Sequence, residues 1–414
     1  MPYKQTTTQC VVRLVPLRGL STATLAQCQA LRAEAGRLWT DLVRLHADAR
    51  AQGQWPSPGD LEQTTKGGQY ALQSQSVQAL CQKFATNIAT ATELRKQELA
   101  ELGHIQTEFP HHPKSHQTVV WKDQALLLDR PGFLGLKNGQ GRSALYLPLP
   151  KEYVGANLRR VELTWRADHY ELCLTIDIGE PLPAPKADQA GGAVAGIDLG
   201  EVHIAAVTTT RRHALVVSGR MLRSCKQGRN KRHAALQERL SRCQSGSRRS
   251  KRLLKRKAQI SAKLYRQQRD ILHQAARKVV TFCQAEGVSQ IALGDVRDIQ
   301  TGVRLGTKVN QKISQWPHGQ FARYLKEKAA RLGISVEWLD EAYSTRTCSQ
   351  CGYQHSSSPR GRRLRCAGCG AGIHRDVNGA SNICSKAAYG GYGQVQADTV
   401  KYLRPIGVAP RHGP

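Results

Sequence analysis

Four cysteines near the C-terminal end constrain the fold more than any other feature of the sequence. Cys348 and Cys351 form one Cys-x-x-Cys pair, and Cys366 and Cys369 form a second pair after 14 intervening residues. A glycine follows each pair, and two such pairs place four thiolates tetrahedrally around Zn²⁺. The spacing between the pairs is about one residue below the usual range, a small departure for a hairpin. The sequence therefore predicts a closed structural zinc site; the alternatives are a redox-active pair or a coincidental spacing.

The remaining eight cysteines are scattered singly along a chain of 414 residues. Scattered cysteines are typical of reduced thiols in the cytoplasm. Residues Met1–Thr6 lead into no apolar run of the signal-peptide kind, and no stretch approaches the ~20 apolar residues that a membrane span requires. We therefore expect a cytoplasmic protein that has no membrane partner.

The charge of the chain indicates a polyanionic partner. Lys and Arg number 61 and Asp and Glu number 31, which gives a net charge of +30. Arg229–Arg269 contains 15 of the basic residues and a single acid, Glu238. Such a run is often only a solvated face, but its like charges repel along a helix, so we expect a nucleic-acid backbone as the counterion. The candidate nucleic-acid-binding residues in it are Arg248, Arg249, Lys251, Arg252, Lys255, Arg256 and Lys257.

The hydrophobic pattern divides the chain into two halves that differ in character. Strand patterns at Gln9–Leu17 and between Thr118 and Ile176 flank two helical regions, at about Ser21–Ala51 and Leu61–Leu102. After a Pro- and Gly-rich linker, strands alternate with helices, which favours a mainly parallel α/β sheet. These strands are predicted at Ala193–Leu199, Ile204–Thr208, Ser289–Leu293 and Ser335–Leu339. The predicted domains are a β-rich module (1–20 and 105–180), a helical insert (21–104), a linker (181–192), an α/β domain (193–344 and 371–384), a zinc ribbon (345–370) and a C-terminal tail (385–414).

Two acidic residues occur where a cation site would need them. Asp198 interrupts an apolar strand, and burying a carboxylate there is costly unless it binds a cation or is otherwise paired. Asp376 follows the second cysteine pair near the start of a helix, where an N-terminal cap is the simpler interpretation. One acid on a first strand and another on a late helix are nevertheless the arrangement of an Mg²⁺ nuclease of the RNase H type.

These motifs together, in this order, resemble the TnpB family of transposon-encoded RNA-guided nucleases, which are related to compact type V CRISPR effectors. The resemblance rests on Gly196–Gly200, the long basic helical stretch, Thr347–Gly352, Cys366–Cys369 and Arg375–Ala380, and covers about Ala193 to Ile383. The first 180 residues match only in length and style.

The resemblance implies an α/β fold in which an RNase H-like (RuvC) nuclease domain carries an inserted zinc ribbon. An N-terminal β-barrel wedge with a helical recognition insert would precede it. The implied cofactors are structural Zn²⁺, catalytic Mg²⁺ and a guide RNA derived from the transposon end. The implied partner is target double-stranded DNA with a short flanking motif, and the implied location is the prokaryotic cytosol or nucleoid.

One position departs from the family pattern. The second strand motif of the family usually ends in Glu followed by Asp, whereas this chain has Gly294 followed by Asp295. Glu341 ends the next strand, and neighbouring strands lie only ~4.8 Å apart, so its side chain could reach over a glycine. The resemblance extends to relatives that pair a Gly-Asp-Val strand end with a Glu before the zinc ribbon. The resemblance thus implies Asp198, Glu341 and Asp376 as catalytic magnesium ligands.

Several alternatives stay open at this point. Asp295 is either a turn residue or the third carboxylate, Glu341 is either a ligand or a solvated acid, and a site without a third ligand would not cleave. Asn310–Pro317 and Tyr343 suit contact with nucleic acid, but a capped helix start with a core Trp explains the former equally well.

The resemblance implies an RNA-guided DNA endonuclease of an insertion sequence that cleaves target DNA by Mg²⁺-dependent phosphodiester hydrolysis. Because Gly294 replaces the usual Glu, the first alternative is a nuclease-inactive RNA-guided DNA-binding protein, acting as a repressor or targeting module. A zinc-ribbon RNA-binding protein without a DNA target is the second alternative.

Overall fold

The computed structural model describes residues 8–184, 191–297, 306, 310–311, 314–359 and 361–406. The chain divides into two compact units, Met1–Pro181 and Leu182–Pro414. Within the part of the chain that is described, no helix is both long enough and apolar enough to cross a bilayer.

The first unit combines antiparallel strands with a helical insert. Its strands are β1 (Thr8–Leu17), β2 (Val119–Lys122), β3 (Leu126–Leu127), β4 (Phe133–Leu136), β5 (Leu145–Pro148), β6 (Leu158–Trp165) and β7 (Tyr170–Pro181). They pair as two sheets, in the orders β1-β7-β6-β2 and β3-β4-β5. Among the described strands, hydrogen bonding therefore does not close the single barrel that the resemblance implies.

Three helices lie between β1 and β2: α1 (Thr22–Ala51), α2 (Pro58–Thr64) and α3 (Ser74–Leu102). The Ser21 hydroxyl caps α1 by accepting the amide of Thr24. Ser57 and Asp60 form a capping box at the start of α2. The second predicted helical region is two helices, because Gly67 and Gly68 adopt positive φ angles of 92° and 73° that end the helical course between them.

The second unit is built around a six-stranded sheet. Its strands are β8 (Ala193–Leu199), β9 (His203–Thr209), β10 (His213–Ser218), β11 (Val288–Gly294), β12 (Ser335–Leu339) and β15 (Thr399–Leu403), and β13 (Arg363–Arg365) and β14 (Gly372–His374) form a separate hairpin. The order is β12-β11-β8-β9-β10-β15. Strands β8, β11 and β12 are parallel, and β9 is antiparallel to both of its neighbours.

Helices cover both faces of this sheet: α4 (Arg220–Ser241), α5 (Arg248–Ala285), α6 (His318–Ala330) and α7 (Arg375–Tyr389). The apolar side of α5 around Ile271 and the buried side of α6 around Phe321 pack in one core with Ile197 and Ile291. On the opposite face, Val377 and Ala380 of α7 pack against β9 and β10. Two opposed helical layers thus bury both faces of the central parallel strands β8 and β11, as such strands require.

The C-terminal segment differs from the tail predicted over residues 385–414. Helix α7 continues to Tyr389, and β15 pairs with β10 in parallel from His213–Thr399 to Val217–Leu403. Thr399, Val400 and Tyr402 are β-branched or aromatic residues that favour a strand. Because glycines and prolines surround this five-residue strand, a hydrophobic pattern averaged over a longer window does not show it.

Candidate metal centres and nucleic-acid interface

The four predicted zinc ligands converge on one point. The Sγ atoms of Cys348 and Cys369 are 3.8 Å apart, those of Cys351 and Cys366 are 3.6 Å apart, and all four lie within 4.8 Å of one another. Tetrahedral zinc with bonds of about 2.3 Å requires sulfur separations of about 3.8 Å. The four thiols therefore have the chemistry and the spacing of a zinc site.

Glycines allow each cysteine pair to turn back on itself. Gly352 and Gly370 adopt positive φ angles of 72° and 74°. Each donates its amide to the carbonyl oxygen of the first cysteine in its pair, over 2.9 Å. A side chain at either position would be strained in this conformation, which explains why a glycine follows each pair.

Helix α7 lies unusually close to β8, and this approach brings Asp376 towards Asp198. A Cβ atom at Gly196 would lie well under 3.0 Å from the backbone of Ala380 and Cys384. A Cβ atom at Gly379 would lie 2.8 Å from Asp198 Oδ2. Both glycines are therefore required for the helix to pack against the strand that carries Asp198.

Glu341 occupies the space that a side chain at position 294 would fill. Gly294 ends β11 and is opposite Leu339 of β12, two residues before Glu341. A Cβ atom at Gly294 would lie less than 3.0 Å from Glu341 Oε2, and 2.9 Å from Cδ1 of Ile383. The side chain from the adjacent strand thus extends over the glycine, in the manner expected from the sequence.

One carboxyl oxygen of the half-buried Glu341 is shielded from solvent without a partner. Its Oε2 atom has no hydrogen-bond partner among the described residues. Burial, followed by the negative charges of Asp295 and Asp340, raises the pKa of Glu341 to about 7. An acid with a shielded, unpartnered oxygen favours a cation as its missing partner.

Asp198 and Asp376 have opposite electrostatic environments. Burial, and then the charges of Glu341 and Asp376, raise the pKa of Asp198 well above its usual value. Burial also disfavours the charge on Asp376, but the hydrogen bond from His203 and the charge of Arg375 lower its pKa to about 2. Asp376 thus stays ionised, whereas Asp198 needs added positive charge to do so.

Three basic side chains hold Asp376, and two of them bind the same oxygen. Oδ2 lies 2.7 Å from Nδ1 of His203 and 3.2 Å from a guanidinium nitrogen of Arg362. Oδ1 accepts from Nε of Arg375 over 3.1 Å. Asp376 is therefore more than a helix cap, because its side chain is fixed from several directions.

Asp295, the alternative third carboxylate, has a different partner. Its two oxygens accept from the guanidinium group of Arg297, with a shortest distance of 2.5 Å. This hydrogen bonding to Arg297 lowers the pKa of Asp295. In the structure Glu341, and not Asp295, extends over Gly294.

Two buried asparagines join α7 to the cysteine cluster, and sequence reasoning assigned them no role. The amide nitrogens of Asn378 and Asn382 donate to the carbonyl oxygens of Ser344 and Thr347. Asn378 Oδ1 also accepts the amide of Ser349 over 2.8 Å. Their spacing of four residues inside a helix, where Asn is unfavourable, was the available signal.

The seven predicted nucleic-acid-binding residues all lie at the start of α5. Six are exposed, and the half-buried Lys257 donates to Gln237 of α4 over 2.8 Å. A cavity of about 510 Å³ opens between the two helices, with Leu236 and Leu253 at its base and arginines around it. None of the seven has an ion-pair partner within the described part of the chain, so their charges are available to a polyanion.

The structure gives mixed information on the other two candidates. Within Asn310–Pro317, residues 312 and 313 lie outside the described residues; Gln315 accepts from Lys226, Arg229 and Asn230 of α4. Trp316 packs partly buried against the core. Tyr343 is exposed, with a positive φ of 67°.

Comparisons with known proteins confirm the resemblance to the TnpB family. A family model described as "Probable transposase" matches residues 175–300, and one described as "Cas12f1-like, TNB domain" matches residues 318–383. The chain is 28% identical over 112 residues to the CRISPR-associated endodeoxyribonuclease Cas12f1 of Sulfoacidibacillus thermotolerans. It is 31% identical over 78 residues to a TnpB-like protein of Aquifex aeolicus (strain VF5).

These two alignments cover 27% and 18% of this chain, and 25% and 26% of the respective relatives. The chain thus matches about a quarter of the length of each curated relative.

Solved structures show a similar fold over most of the chain. A Cas12f1–sgRNA–target DNA complex aligns with a TM-score of 0.59 at 12% identity, covering 88% of this chain and 83% of that chain. The mini-RNA-guided endonuclease CRISPR-Cas_phi3 aligns with a TM-score of 0.55 at 9% identity, covering 94% of both chains. The mixed α/β fold is therefore that of compact effectors of this kind.

Proposed function

We propose that this chain is an RNA-guided DNA endonuclease of an insertion sequence, and that Asp198, Glu341 and Asp376 hold catalytic Mg²⁺. The observation that carries the proposal is the position of Glu341 over Gly294, with an unpartnered buried oxygen. Without that arrangement, the glycine would leave the site one carboxylate short.

The three acids fit magnesium by their chemistry, and among the described residues their oxygens are not one of the groups that lie within 4.8 Å of one another. Mg²⁺ prefers carboxylate oxygens. The raised pKa values of Asp198 and Glu341 reflect burial and nearby negative charge, both of which a divalent cation would offset. The set contains two acids that need positive charge and a third, Asp376, that is already ionised.

The residues around the acids have distinct tasks in this proposal. His203 and Arg375 fix the rotamer of Asp376 by binding different oxygens. Arg362, half-exposed beside the same carboxylate, supplies a positive charge to a phosphate that approaches the site. Bound Mg²⁺ would neutralise the charge that develops on the phosphate during attack by water.

The zinc ribbon would support the same centre indirectly. Bound zinc would fix the two cysteine turns, and the Asn378 and Asn382 amides tie the segment between Ser344 and Thr347 to α7. The helix that presents Asp376 is thereby connected to the ribbon. A structural metal would thus help to position a catalytic one.

Base pairing with a guide RNA would supply sequence recognition, and the basic start of α5 would contact a phosphate backbone. The structural relatives named above include a complex with sgRNA and target DNA, which supports this pairing of partners. The transposon end as the source of the guide, and a short motif flanking the target, belong to the proposal.

Purified protein assembled with RNA transcribed from the end of its element tests the proposal. Wild-type protein should cut matched double-stranded DNA in Mg²⁺ and leave mismatched DNA intact. Glu341→Gln should reduce cleavage at least about a hundredfold, because it removes a charge from the metal site, while binding to the matched DNA stays unchanged.

Asp295→Asn is the matched control, since it removes a neighbouring acid that already pairs with Arg297. It should retain most of the activity. Uncut DNA that is still bound by the wild-type protein would establish the nuclease-inactive alternative, and full activity of Glu341→Gln would refute the assigned ligand. Tight RNA binding without guide-dependent DNA retention would favour an RNA-binding protein.

A further inference from the structure

A basic pocket opens beside Asp376 and is not explained by the metal site. Its volume is about 440 Å³, and its lining combines residues from β9, the start of α4, the zinc-ribbon region and β15. The side chains that matter are His203, Arg220, Arg362, His374, Tyr402 and Arg404. Two of them, His203 and Arg362, also contact the carboxylate of Asp376.

One wall of this pocket is a row of aromatic rings. The rings of His203 and His374 are 5.3 Å apart, and those of His374 and Tyr402 are 6.1 Å apart with an interplanar angle of 74°. Tyr402 is 58% exposed, so much of its ring is accessible. An exposed ring at the edge of a basic pocket suits stacking by a nucleobase.

The pocket is also positively charged. Arg220 and Arg404 are exposed and have no acidic partner within the described residues. Each can therefore offer its guanidinium group to a phosphate, which arginine binds with two parallel hydrogen bonds. Rings and unpaired arginines together match a single-stranded nucleic acid better than they match a free anion.

A metal ion is a poorer occupant of the same pocket. Ligand atoms of His203, His374 and Asp376 lie within 4.8 Å of one another, which suggests a transition metal. However, Arg362 and Arg375 already contact the carboxylate of Asp376. In the pocket itself, Arg220, Arg362 and Arg404 surround the two imidazole rings, so this side of Asp376 favours an anion.

We infer that this pocket binds the DNA nucleotide adjacent to the bond that is cut, with its base on Tyr402 and its phosphate between Arg220 and Arg404. The inference rests on the proposed function. It assigns a substrate-binding role to β15, which lies in the segment that the sequence predicted to be a C-terminal tail. Since His203 and Arg362 contact both the pocket and Asp376, a nucleotide bound there lies next to the proposed metal ligands.

Photo-crosslinking tests the position of the base without requiring cleavage. The probe is a short single-stranded DNA that contains 5-iododeoxyuridine, mixed with the full-length protein in Mg²⁺-free buffer and irradiated. Mass spectrometry should find a crosslink at Tyr402. It should fall about tenfold or more in Tyr402→Ala, as expected for the loss of one stacked base, and persist in Tyr402→Phe.

Lys401→Ala is the matched control, because Lys401 is an exposed cation on the same strand and is absent from the pocket lining. Its crosslink at Tyr402 should be unchanged. DNA that is retained but crosslinked only elsewhere, for example on α5, would overturn this inference and leave the proposed function intact. Failure of the guide-free protein to retain the DNA at all would also overturn the inference, and the guide-dependent cleavage of matched DNA tests the proposed function separately.

A cleavage assay gives the second readout. With the guide-loaded protein, Tyr402→Ala should slow single-turnover cleavage of matched DNA about tenfold, while the bound fraction of target DNA is unchanged. Tyr402→Phe should restore the rate, because stacking does not need the hydroxyl group. An unchanged rate in Tyr402→Ala would overturn the inference even if the crosslink were found.

Discussion

The side chain of Glu341 extends over Gly294 from the end of the adjacent strand, and the missing side chain of the glycine makes this geometry available. Gly294 has no Cβ atom where the carboxylate of Glu341 lies. Enlarging Gly294 is therefore a direct steric test of the assignment, because it displaces the carboxylate of Glu341 without removing it.

Gly294→Ala should reduce cleavage at least about tenfold, because the new methyl group would overlap with Glu341 Oε2 and Cδ1 of Ile383. Single-turnover cleavage of matched DNA measures the effect. Gly372→Ala is the control, since a Cβ atom there meets nothing within 4 Å. Wild-type rates in Gly294→Ala would show that Glu341 does not need this space.

The pH dependence of magnesium binding follows from the raised pKa of Glu341, which is about 7 in the metal-free protein. Below that pH the proton must leave before the carboxylate can bind Mg²⁺, so the Mg²⁺ concentration for half-maximal cleavage should rise about tenfold per pH unit. Above pH 7 it should level off. The measurement is a Mg²⁺ titration of the cleavage rate at pH 6, 7 and 8.

Asp295→Asn provides an internal check on the cause, since the charge of Asp295 helps to raise the pKa of Glu341. In this variant the pKa of Glu341 should be lower. The Mg²⁺ concentration for half-maximal cleavage should therefore begin to rise only at a lower pH than in the wild type. An Mg²⁺ requirement that is the same at pH 6 and pH 8 would contradict the proposed ligand role.

Much of the proposed centre can be marked out from residue order alone. The four cysteines, Asp198, Asp376 and the strand-end position of Glu341 follow from motifs whose spacing is visible in the sequence. His203 was not predictable as a partner of Asp376, because the two residues are 173 positions apart and no local pattern marks the contact. Arg362 and the two asparagines depend in the same way on how the ribbon folds back.

At the scale of elements, the packing of α7 on β8 controls the distance between two of the acids. Gly196→Ala would push a methyl group into the backbone of α7 at Ala380 and Cys384. We expect it to cost about 1–3 kcal/mol in the free energy of unfolding, and to reduce cleavage by moving Asp376. Denaturant unfolding and the cleavage assay measure the two effects.

Gly228→Ala is the matched control, because Gly228 lies within α4 and a Cβ atom there meets nothing within 4 Å. It should raise the free energy of unfolding by about 0.5–1 kcal/mol, as alanine is the better helix former. Equal stabilities for the two variants would refute the argument from close helix packing.

Elements with clear periodicity and clear boundaries were predictable, whereas strands next to short turns or among turn-forming residues were not. Strands β8 and β12 begin and end at the predicted residues. Strands β3, β4, β10 and β15 were not predicted. Strand β10 follows β9 after only a three-residue turn (210–212), and β15 lies among turn-forming residues. Their pairing depends on partners elsewhere in the sheet, which local sequence patterns do not report.

At the scale of the whole molecule, the net charge of +30 is concentrated in part on one helical pair. Replacing Arg248, Arg252 and Arg256 by Gln should weaken guide-RNA binding, and should lower the slope of log affinity against log salt by about 2–3. Filter binding at several salt concentrations measures this slope.

The control variant replaces three other arginines by Gln: Arg18, Arg44 and Arg130. These residues lie in the first unit, outside helices α4 and α5. A slope that falls equally in both triple variants would show a diffuse electrostatic effect. The predicted result is a larger change for the α5 variant.

The steric pairing of Gly294 with Glu341 would have a consequence for descent. A lineage that changed from one position to the other passed either through a protein with glutamate at both, or through one with glutamate at neither. The first would force two carboxylates into one space, and the second would lack the third acid. Because both intermediates are penalised, reversal should be rare, and the pair Gly294–Glu341 should be useful as a marker of shared ancestry.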